Sequence, residues 1–144
     1  MRTFLALLLL ASPVFAASAH FDVQASYAPP PRAADKGEIL VSFVPKVADV
    51  FVDEEPAPRL KLDAAQTVLV DRQAPPPDRV TAFDPETARF RDPKVPVRFP
   101  VSLSEKAPKG PQTVKATVTY FYCSKKEGWC RKGSEEIAVQ VMVP

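Results

Sequence analysis

From Phe21 onward the chain alternates apolar and polar residues far more often than it repeats them at helical spacing. A period of two puts every second side chain on one face, as in a strand with one buried side. Phe21, Val23, Ala25 and Tyr27 alternate in this way before the break at Pro29-Pro30-Pro31. Glu38 to Val44 predicts a second strand, with Ile39, Val41 and Phe43 on one face and Leu40, Ser42 and Val44 on the other. The β character continues from Val47 to Val52, and short strands are predicted at Leu60 to Leu62 and Gln66 to Val70. Gln73 to Lys94 is rich in proline and charge and reads as a long surface loop, with Pro85 to Phe90 as its best helical candidate.

The pattern then sharpens. Val95, Val97, Phe99, Val101 and Leu103 alternate with Pro96, Arg98, Pro100 and Ser102. Prolines at outward positions predict an edge strand, where a missing N–H faces solvent. Thr113 to Tyr122 places Val114, Ala116, Val118, Tyr120 and Tyr122 on one face. After a polar bend from Ser124 to Gly133, Ile137, Val139, Val141 and Val143 return as its partner. About seven strands joined by Pro-rich turns predict an all-β fold, an immunoglobulin-like antiparallel β-sandwich ending in a disulfide-bridged hairpin.

Composition narrows the function classes. The 144 residues are 46% hydrophobic and 25% charged, which suits one globular domain. Seventeen prolines exclude long helices, and a net charge of +2 without a basic block argues against nucleic acid as a partner. One histidine, His20, and two cysteines are too few for a zinc site of the usual His/Cys type, so no metal and no cofactor is expected. The acidic run Asp53-Glu54-Glu55 before Pro56 reads as a solvated turn.

Residues 1–19 have the three parts of a secretory signal: Arg2, the apolar run Phe4 to Ala11, and the cleavage triplets Val14-Phe15-Ala16 and Ala17-Ser18-Ala19. Residues 20–144 then form the exported domain, periplasmic or secreted, with no membrane insertion after cleavage. In an oxidising compartment Cys123 and Cys130 are expected to form a disulfide.

That disulfide has two readings. It can pin a hairpin tip in a non-catalytic, exported β-sandwich interaction module. Alternatively it can cycle between dithiol and disulfide. Lys125, Lys126, Arg131 and Lys132 favour the second, because nearby cations stabilise a thiolate. Trp129 beside Cys130, and Phe121 and Tyr122 beside Cys123, offer an apolar shield or docking surface.

The run Thr117-Val118-Thr119-Tyr120-Phe121-Tyr122-Cys123, the loop Ser124 to Trp129 and the following Cys130 resemble the end of the N-terminal domain of DsbD-type thiol:disulfide interchange proteins. Phe99-Pro100-Val101-Ser102-Leu103, the Lys109-Gly110 spacer and the strand from Val114 extend the resemblance over Val97 to Val143. It implies an immunoglobulin-like periplasmic domain that takes electrons from a thioredoxin-like partner and passes them to other periplasmic proteins. It also implies that Cys123 and Cys130 are the redox pair, Cys130 facing the partner and Cys123 resolving. The pair encloses six residues here, where the relay domain has five. A cap over the cysteines would fall on Phe83, in Phe83-Asp84-Pro85-Glu86.

Overall fold

Strands with one apolar face are stable only when those faces meet, and here they meet as two antiparallel sheets. In a computed structural model, residues 18–32, 37–73 and 89–144 are described. They form β1 (Phe21–Ala28), β2 (Gly37–Pro45), β3 (Val50–Val52), β4 (Arg59–Leu62), β5 (Leu69–Asp71), β6 (Val97–Leu103), β7 (Gly110–Ser124) and β8 (Trp129–Val143). No helix occurs among the described residues. Residues 1–17 of the expected signal segment 1–19, and the suggested cap residue Phe83, lie outside them.

One sheet runs β1-β2-β6-β5. In the other, β8 pairs with the whole of β7, while β3 and β4 pair with separate stretches of it, Tyr122 to Ser124 and Ala116 to Thr119. Because β8 occupies one side of β7, β3 and β4 lie in line along the other. Taking β3 and β4 as two pieces of one strand, the sheets are A-B-E-D and C-F-G, the immunoglobulin arrangement.

The inward positions named by the alternation form the core. Ile39, Val41, Val101, Val114, Val118 and Val139 are wholly buried. Each such side chain contributes about 1.5–3 kcal/mol on burial. Phe21, Phe43, Tyr120 and Tyr122 pack ring against ring, with Phe43 and Tyr120 centroids 4.7 Å apart. Tyr120 lies across Gly133, its neighbour on β8, where an added Cβ would fall 2.5 Å from the tyrosine hydroxyl-bearing end of the ring.

Three expectations change. β6 is not an edge strand, since β2 and β5 flank it. Pro100 is tolerated there because its carbonyl accepts from the Arg72 N–H, just past the end of β5. Its nitrogen points to that same side, so the β2 ladder loses no hydrogen bond. The helical candidate is extended where it is described: Phe90 bridges Asp53, Arg89 O accepts from Glu54 N–H, and Arg91 N–H donates to Val52 O. The polar bend is shorter than expected, with only Lys125 to Gly128 outside the strands.

Candidate functional site

Strand alternation decides what surrounds the disulfide. Val114, Ala116, Val118, Tyr120 and Tyr122 face the core, so Cys123 faces outward. Cys130 stands directly opposite it on β8, with Cα atoms 4.0 Å apart and a disulfide between them. The loop Lys125 to Gly128 turns the chain, helped by Gly128 at φ 71° and by its N–H donating to Ser124 O. A left-handed residue there has no Cβ to clash. The turn is also tied to the β2–β3 connection, because the Lys125 and Lys126 N–H groups donate to the Asp49 carbonyl and carboxylate.

An outward position would ordinarily be exposed, yet Cys123 is 0% exposed while Cys130 is half-buried. The cover comes from β3 and the segment beside it. Phe51 is paired with Cys123, and the Phe90 ring lies 5.4 Å from that of Phe51. Lys125 Nζ sits over both rings, at 5.2 and 4.8 Å. Asp53, next outward residue on the same chain, is 1% exposed and its N–H donates to Phe121 O. It is therefore no solvated turn; the pairing of Arg89 to Arg91 along β3 closes over it.

The Asp53 carboxyl lies 3.4 and 3.5 Å from Cys123 Sγ. A disulfide sulfur has no proton to give. In the oxidised protein this contact is a hydrogen bond only when Asp53 is protonated and its O–H donates. Burial favours that form, raising the Asp53 pKa to about 6. In a reduced protein the direction reverses: the Cys123 S–H donates and the carboxylate accepts. The same buried carboxyl can therefore hydrogen-bond Cys123 when protonated beside the disulfide and when ionised beside the thiol.

The other residues singled out from the sequence separate. Tyr122 and Trp129 face away from the sulfurs, toward the core, where their rings are 5.7 Å apart. Arg131 follows them, its guanidinium 4.2 Å from the Trp129 ring centroid. Lys126 lines a cleft of about 330 Å³ with His20, Asp49, Glu127 and Trp129. Of the four cations named, Lys125 covers rings on the cysteine side, and Lys132, opposite Phe121 on β8, shares the outward face of Cys130. Asp53, Phe51 and Phe90 belong to the site although no local motif marks them as site residues. The alternation Val50, Phe51, Val52, Asp53 does place Phe51 and Asp53 on one face, but nothing local says that this face is covered.

Compared with protein-family models, with curated proteins and with solved structures, the chain matches none of them.

Proposed function

We propose that the domain exchanges electrons with a partner dithiol through Cys123 and Cys130, as the resemblance of residues 97–143 to the DsbD N-terminal domain implies. The observation that carries the reading is the buried Asp53 carboxyl against Cys123 Sγ, since a purely structural bridge has no use for an ionisable group there. A partner thiolate attacks Cys130 Sγ, the half-buried sulfur, and forms a mixed disulfide as the bond to Cys123 breaks. Cys123 leaves with the electron pair and takes a proton, from Asp53 when that carboxyl is protonated and otherwise from water. The partner's second thiolate then attacks its own sulfur in the mixed disulfide and releases Cys130. Two electrons pass to the domain, and the partner ends as a disulfide. The reverse sequence reduces a periplasmic client. A thioredoxin-like protein, which presents one reactive cysteine and a second to resolve, suits the first role.

The full burial of Cys123 favours a second reading, in which the bridge is structural and the sandwich is an interaction module. The reduction potential separates the two. A value of about −200 to −270 mV, in thiol redox buffers, fits exchange; one below about −300 mV fits a structural bridge and overturns the relay. Under exchange, Cys130 is also the first of the two to be alkylated after mild reduction of the folded protein.

A further inference from the structure

Asp53 has a second use once the disulfide is open. Among the described residues its carboxylate meets no lysine, arginine or N–H group; its neighbour is Cys123 Sγ. One oxygen of Asp53 and the two sulfurs all lie within 4.8 Å of one another. We propose that the reduced protein binds one zinc ion through the Cys123 and Cys130 thiolates and the Asp53 carboxylate, with water as fourth ligand. The proposal rests on the exchange reading in one respect: the bridge must open in the folded protein.

Geometry supports the ligand set. Tetrahedral zinc with bonds of about 2.3 Å to sulfur and 2.0 Å to oxygen sets sulfur–oxygen edges of about 3.5 Å. Asp53 already stands 3.4–3.5 Å from Cys123 Sγ. The two sulfurs need an edge of about 3.8 Å, reached by rotation about their Cα–Cβ bonds once they are no longer joined. Their residues stay in register on β7 and β8, held by the pairs on either side, Tyr122 with Arg131 and Ser124 with Trp129. The ion enters from the Cys130 side, where the site is half-buried.

Charge and ligand chemistry select the ion. Two thiolates and a carboxylate carry three negative charges, which a divalent cation reduces to one, near the Lys125 ammonium over Phe51 and Phe90. Calcium and magnesium take oxygen ligands, and monovalent copper prefers sulfur without a carboxylate; mixed sulfur and oxygen suits zinc. The stoichiometry is simple. A partner dithiol reduces the bridge to two thiols, and zinc displaces one proton from each. Reoxidation by a client disulfide, which takes the two electrons and leaves as a dithiol, forms the S–S bond and removes both sulfur ligands, so the ion is released. Metal loading and electron relay therefore exclude each other.

The experiment starts from the full chain, reduced with a phosphine that leaves no competing thiol behind. Free thiols are counted with a chromogenic disulfide, and cobalt(II) is then titrated in as the spectroscopic stand-in for zinc. Expected are two thiols, the intense visible bands of four-coordinate cobalt saturating at one equivalent, and their loss when zinc is added. Asp53→Asn should weaken binding by at least about tenfold, since even outer-shell partners of a metal site are worth that much. Two thiols with only the pale colour of six-coordinate cobalt would overturn the site and leave the exchange reading standing. Unchanged affinity in Asp53→Asn would also overturn it, because Asp53 would not be a ligand. No thiols in the folded protein would remove both readings. The wild-type cobalt spectrum decides the matter without the variant.

Discussion

On the inner face of the β7–β8 hairpin, Val114, Val118, Val139 and Val141 are buried against the opposite sheet. On the outer face burial is graded. Thr113 and Lys115 are exposed, Thr117, Thr119 and Phe121 are half-buried, and only Cys123 at the far end is fully buried. The inner face is covered by a regular layer that any correctly patterned sandwich supplies. The outer face is covered at one end alone, by β3, Lys125 and the short extended segment around Phe90. The two kinds of burial have different contents. The regular layer holds apolar residues; the local cover holds a disulfide and an ionisable carboxyl, groups with chemistry.

The largest effect is expected on the regular, inter-sheet side. Tyr120→Ala removes a buried ring that packs on Phe21 and Phe43, and should cost about 3–5 kcal/mol in urea unfolding. A smaller cost than that of opening the disulfide would mean that the outer cluster, and not the inter-sheet core, holds the hairpin.

Asp53 tests the local cover, with the opposite sign. Its pKa rises from 3.8 to about 6, so the oxidised folded state holds its proton more tightly than the unfolded chain does. Below about pH 4 both states are protonated and nothing is lost; through about pH 4 to 6 the unfolded chain ionises first, and stability falls by about 3 kcal/mol as pH rises. Asp53→Asn removes this penalty. It should stabilise the oxidised protein by up to about 3 kcal/mol at neutral pH and leave it unchanged in acid. Denaturant unfolding across pH reads both; equal stabilisation in acid would show that the carboxyl is not the cause.

Replacing both cysteines with alanine should cost about 2.5 kcal/mol, the unfolded-chain entropy restored by opening so short a loop. Lys125→Ala is the gentlest change. It removes the ammonium from Phe51 and Phe90 and should lower stability by about 0.5–1 kcal/mol in urea unfolding. Unchanged stability would mean that the ammonium adds nothing to the packing of the two rings.

The N-terminal stretch bears on where the folded domain starts. Ser18 Oγ accepts from the N–H groups of His20 and Phe21, and Tyr120 Oη donates to it at 3.4 Å. Lys46 Nζ donates to the Ser18 carbonyl. Ser18 thus ties the start of β1 to β7 and to Lys46 just past β2.

Much of the fold was legible because period-two alternation is a local property. Val114 to Tyr122 and Ile137 to Val143 announce their inward faces residue by residue, and their pairing follows from a short connection. Cys123 and Cys130 could be matched for the same reason. The position of β6 could not be read this way, since Pro100 excludes a ladder bond on only one side and the chain does not show which neighbour stands there. The assignment of Tyr122 and Trp129 to the cysteine side treated adjacency in sequence as adjacency in space, which a strand reverses.

By itself, then, the sequence determined the strands, the inward face of each and the partnership of the two cysteines, all consequences of side chains alternating along a backbone. Only the tertiary structure decided that Asp53 is buried. That required β3 to pair with the end of β7, bringing together residues seventy positions apart, and Arg89 to Arg91 to run along the outer side of β3. Exposure is a property of what lies on top of a residue. For Asp53 those covering residues are distant in the chain, so no local pattern could reveal the carboxyl beside the sulfur.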